Sequence, residues 1–354
     1  MNYSSALLST PQAAPYMEGE VPEFAGVAWH YGDPLSEQRN FDRGGGIVDR
    51  SNRAVLKVAG PDAATFLNNL LSQKLSDESQ AGTWALDLDP QGRVLHYAGV
   101  IAHEGAFFLD VSPRGVDSLQ SYLEKMVFWS KVEISRTHLA LLTLVSAAPL
   151  PQMEDFALRR EYTLAGYHCV DVLVEDLEQA AATLQRDLGV KLTGLMAYTA
   201  LRVRAVEPEV GLDLDEKSIP HESWRLLHNA VHLNKGCYRG QETVARVENL
   251  GRSPRVLALA HLDGSAPELP PIGTEILAGG RGVGRVGTVV HDFELGPIAL
   301  VLLKRSAVGA DTGVGAGADL RAGNGDVALM LDRDSLPPET EQAGRKAQET
   351  LRGK

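Results

Sequence analysis

The texture of the chain changes at about Pro254, and that change limits the possible folds more than any other feature of the 354 residues. Beyond it come short β-branched runs punctuated by glycine and proline, at 255–262, 274–280, 282–290 and 297–304. Such runs read as a small antiparallel barrel. Before it, strand-like and helix-like patterns alternate. The expected fold class is therefore α+β in the first part, followed by a C-terminal antiparallel β-barrel.

Within the first part, Val55/Lys57 and Leu56/Val58 alternate as a half-buried strand does. A helix follows, expected to begin with Pro61 at its first position, with an apolar stripe of Ala63, Phe66, Leu67, Leu70 and Leu71. Residues 83–103 read as strand, turn and strand, the turn being Asp89-Pro90-Gln91-Gly92. Further strands are expected at 107–113, 131–134, 139–147 and 162–174, with helices at 115–128 and 195–205. The helix at 176–189 is expected to be capped by Asp176 and closed by Gly189. Together these give an irregular lead-in at 1–40, α+β domains at 41–150 and 151–252, the barrel at 253–336 and a polar tail at 337–354.

Composition narrows the function classes. A net charge of −12 opposes nonspecific binding to nucleic acid or to an anionic membrane, while leaving room for a local basic pocket. Two cysteines make no disulfide framework, which points to a reducing compartment, and they cannot supply four thiolates to a resident iron–sulfur cluster. The N-terminal stretch lacks a basic region followed by an apolar one, and no window is apolar enough to span a bilayer. The expected location is cytoplasmic.

Three patterns suggest chemistry that their context does not support. Gly282, Gly284 and Gly287 fit G-x-G-x-x-G, but a β-branched strand follows where a dinucleotide site needs a helix N-terminus. His228 and His232 have a zinc-like i, i+4 spacing on an expected helix, with no third ligand evident. Cys169 sits in an alternating strand and reads as a small buried hydrophobe. No metal site is expected.

The stretch Leu233-Asn234-Lys235-Gly236-Cys237-Tyr238-Arg239-Gly240-Gln241-Glu242 is different in kind. A thiolate is the reactive form of cysteine, and nearby positive charge, here Lys235 and Arg239, favours it. Gly236 and Gly240 let the backbone bend and a ligand approach. Gln241 and Glu242 add an amide and acceptors suited to a heterocycle's edge. The bland alternative is a glycine-rich turn between a helix near 223–231 and an expected strand at 242–247.

The run from Lys235 through Arg246 resembles the signature of the YgfZ family of folate-binding proteins, which take part in iron–sulfur cluster maintenance and are related to the glycine-cleavage T-protein aminomethyltransferases. Residues 46–73 and 200–222 and the barrel are similar to further parts of that family, so the likeness covers about 40–335. It implies a three-domain body around a central folate channel, with the signature loop beside it. Tetrahydrofolate or a derivative is the implied cofactor, bound by Lys235, Gly236, Tyr238, Arg239, Gly240, Gln241, Glu242 and Arg246. Cys237 is the implied reactive residue. Where the T-proteins and many relatives read Arg-x-Glu-Ala-Gly, this chain reads Arg202-Val203-Arg204-Ala205-Val206. Arg204 thus replaces the acid expected to grip the pterin, and Glu222 is the candidate substitute.

The resemblance implies a folate-binding accessory protein for assembly or repair of clusters in client enzymes, with iron–sulfur client or assembly proteins as partners. The alternative is a tetrahydrofolate-dependent aminomethyltransferase or demethylase, which needs a carboxylate near the folate nitrogen. Asp87, Asp89 and Asp110 are its candidates, and spacing selects none of them. A folate sensor without chemistry is the third reading.

Overall fold

The computed structural model describes residues 3–75, 82–250, 252–308, 320–323 and 325–337. The expected polar tail lies outside the described residues from 338 onward. The chain forms two compact units, Met1–Asp87 with His96–Arg202 and Asp292–Glu294, and Leu88–Leu95 with Val203–His291 and Leu295–Lys354.

The first unit opens with two short strands, β1 (Ala14–Pro15) and β2 (Ala28–His30), and a short helix α1 (Pro34–Gln38). Composition marks this lead-in as irregular, yet Tyr16, Phe24 and Trp29 pack their rings at 4.9–5.1 Å. Aromatic edges of this kind hold a chain that has little regular hydrogen bonding of its own.

After β3 (Gly46–Asp49) come β4 (Ala54–Ala59), α2 (Ala63–Leu70), β5 (Thr83–Leu88), β6 (Val94–His103), β7 (Ala106–Val111), α3 (Val116–Lys125) and β8 (Glu133–Arg136). The order β5-β6-β7-β4-β8 makes one five-stranded sheet. α2 begins two residues later than expected. Gly60, at φ +124°, accepts a bond from Ala63 N at 3.1 Å, so Pro61 belongs to the turn before the helix. The apolar stripe is where periodicity puts it: Phe66, Leu67, Leu70 and Leu71 pack with Leu119 and Leu123 of α3 against the sheet. Each fully buried leucine there contributes roughly 1.5–3 kcal/mol.

The second sheet uses β9 (Ala140–Ser146), β10 (Arg159–Leu164), β11 (Tyr167–Val174) and β12 (Lys191–Thr193) in the order β10-β11-β9-β3-β12. Only β3 and β12 among its recorded pairs run parallel. The crossover before β12 is α4 (Leu177–Leu188), which Asp176 caps through Gln179 N and Gly189 closes in the left-handed region, as its sequence predicts. α5 (Leu195–Arg204) follows.

One buried ion network joins strands of both sheets. Arg160 on β10 is 1% exposed and reaches Asp110 on β7 at 2.8 Å and Asp171 on β11. Arg53 Nε donates to Asp110 at 2.8 Å, and Thr143 Oγ1 to Asp171 at 2.6 Å. Burial alone would raise the Asp110 carboxyl; the charges of Arg160, Arg53 and Arg50 outweigh it and hold the group well below the usual carboxylate range. Gly99 must be a glycine here, because a Cβ would overlap Arg160 Nη1 and Asp110 Oδ2.

The second unit carries α6 (Trp224–Ala230), α7 (Gln241–Leu250) and six strands: β13 (Arg255–Leu262), β14 (Glu275–Ala278), β15 (Arg281–Asp292), β16 (Gly296–Lys304), β17 (Leu320–Ala322) and β18 (Val327–Leu331). The strands close into a barrel in the order β13-β16-β15-β14-β17-β18, and β18 pairs back onto β13. Ala258, Ile276, Val286, Val301 and Leu320 fill it. The G-x-G-x-x-G run lies inside β15, as its surroundings imply. Glycine is required there by close packing: a Cβ on Gly284 would strike the Leu302 carbonyl of the neighbouring strand, and one on Gly287 the Asp213 carboxylate.

Candidate functional site

The signature loop lies wholly in the second unit and is built between two helices. Ser223 caps α6 by accepting from Leu226 N, and the chain leaves that helix at Val231. It re-enters helical geometry at Gln241. The expected strand at 242–247 is thus a helix. Despite its β-branched residues the segment packs as a helix does: Val244 and Val247 are buried at helical spacing, while Glu242, Ala245 and Arg246 are exposed. Gly240, at φ +81°, makes the turn, and its carbonyl accepts from Thr243 N at 3.1 Å and Val244 N at 3.2 Å.

The Asp89–Gly92 turn supports this loop from below. Arg239 Nε donates to the Leu88 carbonyl. A Cβ on Gly240 would lie 2.6 Å from the Asp89 carbonyl oxygen and 2.9 Å from Gly92 Cα. Asp89 fixes its own turn, its carboxylate accepting from Arg93 N at 2.8 Å and its carbonyl from Gly92 N at 2.9 Å. In sequence this turn carries only the signal of a hairpin, and its role as a seat for a loop far along the chain is not legible there.

Around that seat the side chains separate into an inner and an outer set. Tyr238 is buried, and desolvation pushes its phenol up to about 12. Lys235 sets its ammonium 5.2 Å from the centre of the Tyr238 ring. Desolvation brings that amine down to about 8. Gln241 Nε2 donates to the Lys235 carbonyl at 3.3 Å, drawing the two ends of the loop together. Gly236, Cys237, Glu242 and Arg246 face outward, and Cys237 is an exposed free thiol. Cys169, in contrast, is buried in β11, as the sequence implies.

Glu222 departs from its expected use. Both its oxygens accept from Arg255 at 2.9 Å, and the residue is 1% exposed. Arg255 also grips Asp215, at 2.6 and 2.9 Å. Desolvation raises the Glu222 carboxyl against these bonds. The carboxylate is committed within the protein rather than offered to a ligand. His228 lies on α6 and stacks on Trp224 at 3.5 Å, whereas His232 falls beyond the helix, so the two do not share a helical face. Among the described residues no group of three or more His, Cys, Asp or Glu is placed to hold a metal ion.

The carboxylates considered for proton management go three ways. Asp110 is locked in the arginine network, and Asp89 serves its turn. Asp87 is hydrogen-bonded to His96, a partner that the sequence did not suggest.

The fold is that of the aminomethyltransferase T proteins: the glycine cleavage system enzyme from Bartonella henselae superposes with a TM-score of 0.75 at 17% identity, covering 95% of this chain and 96% of that one. No family model matches the sequence. Its homologues nonetheless include the human mitochondrial iron–sulfur cluster assembly factor IBA57, 29% identical over 66% of this chain and 71% of that protein. They also include the tRNA-modifying protein YgfZ of Pectobacterium carotovorum, 27% identical over 70% of this chain and 80% of that one. The likeness to YgfZ and to the T-proteins expected from the Lys235–Arg246 run is therefore borne out. No helix among the described residues is long and apolar enough to cross a membrane.

Proposed function

We propose that this chain is a folate-binding accessory protein for the assembly or repair of iron–sulfur clusters in client enzymes, with Cys237 as its reactive group. The observation that carries this reading is an exposed thiol on a loop that is anchored at the three residues after it. Tyr238 is buried, Arg239 is bound to Leu88 and Gly240 is seated on the Asp89–Gly92 turn. A single sulfur held this way suits a transient contact with a cluster or with a partner's thiol, and one thiol cannot house a cluster by itself. Relatives named as a cluster assembly factor and as YgfZ support the same reading.

The donor set fits a folate. Lys235 offers a half-desolvated ammonium, which gains more from a carboxylate such as folate's glutamate tail than a fully hydrated one does. Arg246 and Glu242 present further polar groups on the exposed side of α7. A bound tetrahydrofolate would supply one-carbon chemistry; this chain's residues would bind and orient it. The protein acts in the cytoplasm on this reading. Aminomethyl transfer is the weaker reading, because Glu222 and Asp110 are each committed to arginine.

Complementation tests it. In cells lacking their own protein of this kind, the wild-type chain restores the activity of cluster-dependent enzymes and Cys237→Ala does not, although both bind tetrahydrofolate in titration. Full rescue by Cys237→Ala removes the thiol from the mechanism, and no binding of tetrahydrofolate removes the folate.

A further inference from the structure

Asp87, His96 and Ser118 form a line of hydrogen bonds within the first unit. His96 Nδ1 lies 2.8 Å from Asp87 Oδ2, and His96 Nε2 lies 2.7 Å from Ser118 Oγ. Asp87 is 1% and His96 8% exposed, while Ser118 reaches solvent. β5 brings the carboxylate, β6 the imidazole and the first turn of α3 the hydroxyl. Gly115 makes room for the ring, since a Cβ there would sit 3.0 Å from His96 Cδ2. A nucleophile within reach of a base, itself oriented by a buried acid, is the arrangement that activates serine on unrelated folds.

The surroundings supply a second element. α3 starts at Val116, its first intrahelical bond running from Leu119 N to the Gly115 carbonyl at 3.0 Å. Gly115 brings no side chain to cap the helix. Ser118 belongs to that first turn, whose N–H groups have no partner inside the helix, and a helix N-terminus of this kind favours a developing oxyanion. The Ser118 proton has two acceptors in reach, His96 Nε2 and the Gly115 carbonyl at 3.0 Å, so a small rotation delivers it to the imidazole.

We propose that Ser118 is a nucleophile, activated by His96 and Asp87, toward activated carboxylic esters. This activity is independent of the folate and cluster reading. Ser118 Oγ bonds to the ester carbonyl carbon and passes its proton to His96 Nε2, while Asp87 holds the Nδ1 proton and balances the imidazolium. Collapse breaks the bond to the leaving alcohol, which takes the proton from Nε2. Water, deprotonated by His96, then releases the carboxylic acid and restores Ser118.

The test is labelling of the purified full-length chain with a fluorophosphonate probe, the adduct being located by peptide mass spectrometry. Label on Ser118 is expected, with a rate that falls at least about 100-fold in His96→Gln. Ser118 is exposed, so Ser118→Ala is expected to fold normally, and it loses both the label and hydrolysis of p-nitrophenyl acetate. An unlabelled wild type, a label on another serine, or equal ester hydrolysis by wild type and Ser118→Ala overturns the proposal, whether or not His96→Gln folds.

Discussion

Gly240 of the signature loop and Gly92 of the Asp89–Gly92 turn meet backbone to backbone. A Cβ on the first would lie 2.9 Å from Gly92 Cα, and one on the second 3.3 Å from the Gly240 carbonyl oxygen. Neither glycine is there for flexibility. At Gly240 the Asp89 carbonyl leaves no room for a side chain, at Gly92 the Thr243 side chain does, and both glycines sit at positive φ.

Gly240→Ala is accordingly expected to destabilise the protein by at least about 1–3 kcal/mol, the strain of a non-glycine residue at φ +81° adding to the overlap. Gly236→Ala is the control. Nothing lies within 4 Å of its Cβ position, and a change within about 0.5 kcal/mol is expected. Denaturant unfolding of both variants checks the contrast, and equal losses would show that the seat does not carry the loop.

Lys235 should titrate near pH 8 in the folded protein, against roughly 10.4 when unfolded. Its folded pKa is lowered, so between these values the unfolded chain binds more protons and stability rises with pH. Lys235→Met should flatten that rise. An amine-acylating reagent at pH 8 should also mark Lys235 ahead of exposed lysines; equal labelling of all lysines would refute the lowered value.

Asp215 works in the opposite direction. Desolvation pushes its carboxyl up, but bonds from Arg255, Lys217 N and Ser218 bring it down to about 2. A depressed carboxyl contributes stability above its unfolded pKa, and that contribution is lost as pH falls from about 4 toward 2. In Asp215→Asn the acid loss over this window should be shallower, measured by denaturation at stepped pH. An unchanged slope would mean that Arg255 gains nothing from Asp215.

The two cysteines should differ in reactivity. Cys237 is exposed and Cys169 buried, so a thiol reagent should modify one sulfur quickly in the native protein and the second only on unfolding. Cys237→Ala should leave the melting temperature unchanged, which keeps its effect on client enzymes interpretable.

Much of the fold is legible in the sequence because its signals are local. The Asp176 cap and Gly189 stop of α4, the β-branched runs of the barrel and the leucine stripe of α2 each act within a few residues. α7 reads locally as a strand because Val244 and Val247 have strand propensity, whereas the turn at Gly240 and burial at helical spacing decide the outcome. The Lys235–Arg246 run is visible as a motif. The commitment of Glu222 to Arg255 and the meeting of His96 with Ser118 are not, because partners 33 and 22 residues apart leave no local trace.

The Arg160 guanidinium has a consequence for how the first unit comes apart. It draws on Asp110 from one sheet and Asp171 from the other, and both acids are buried. Separating the sheets would strand charges in a low-dielectric interior, at about 3–5 kcal/mol for a broken pair. Partial opening is thereby penalised, and β7 and β11 should show matching amide hydrogen-exchange protection, as members of one cooperative unit.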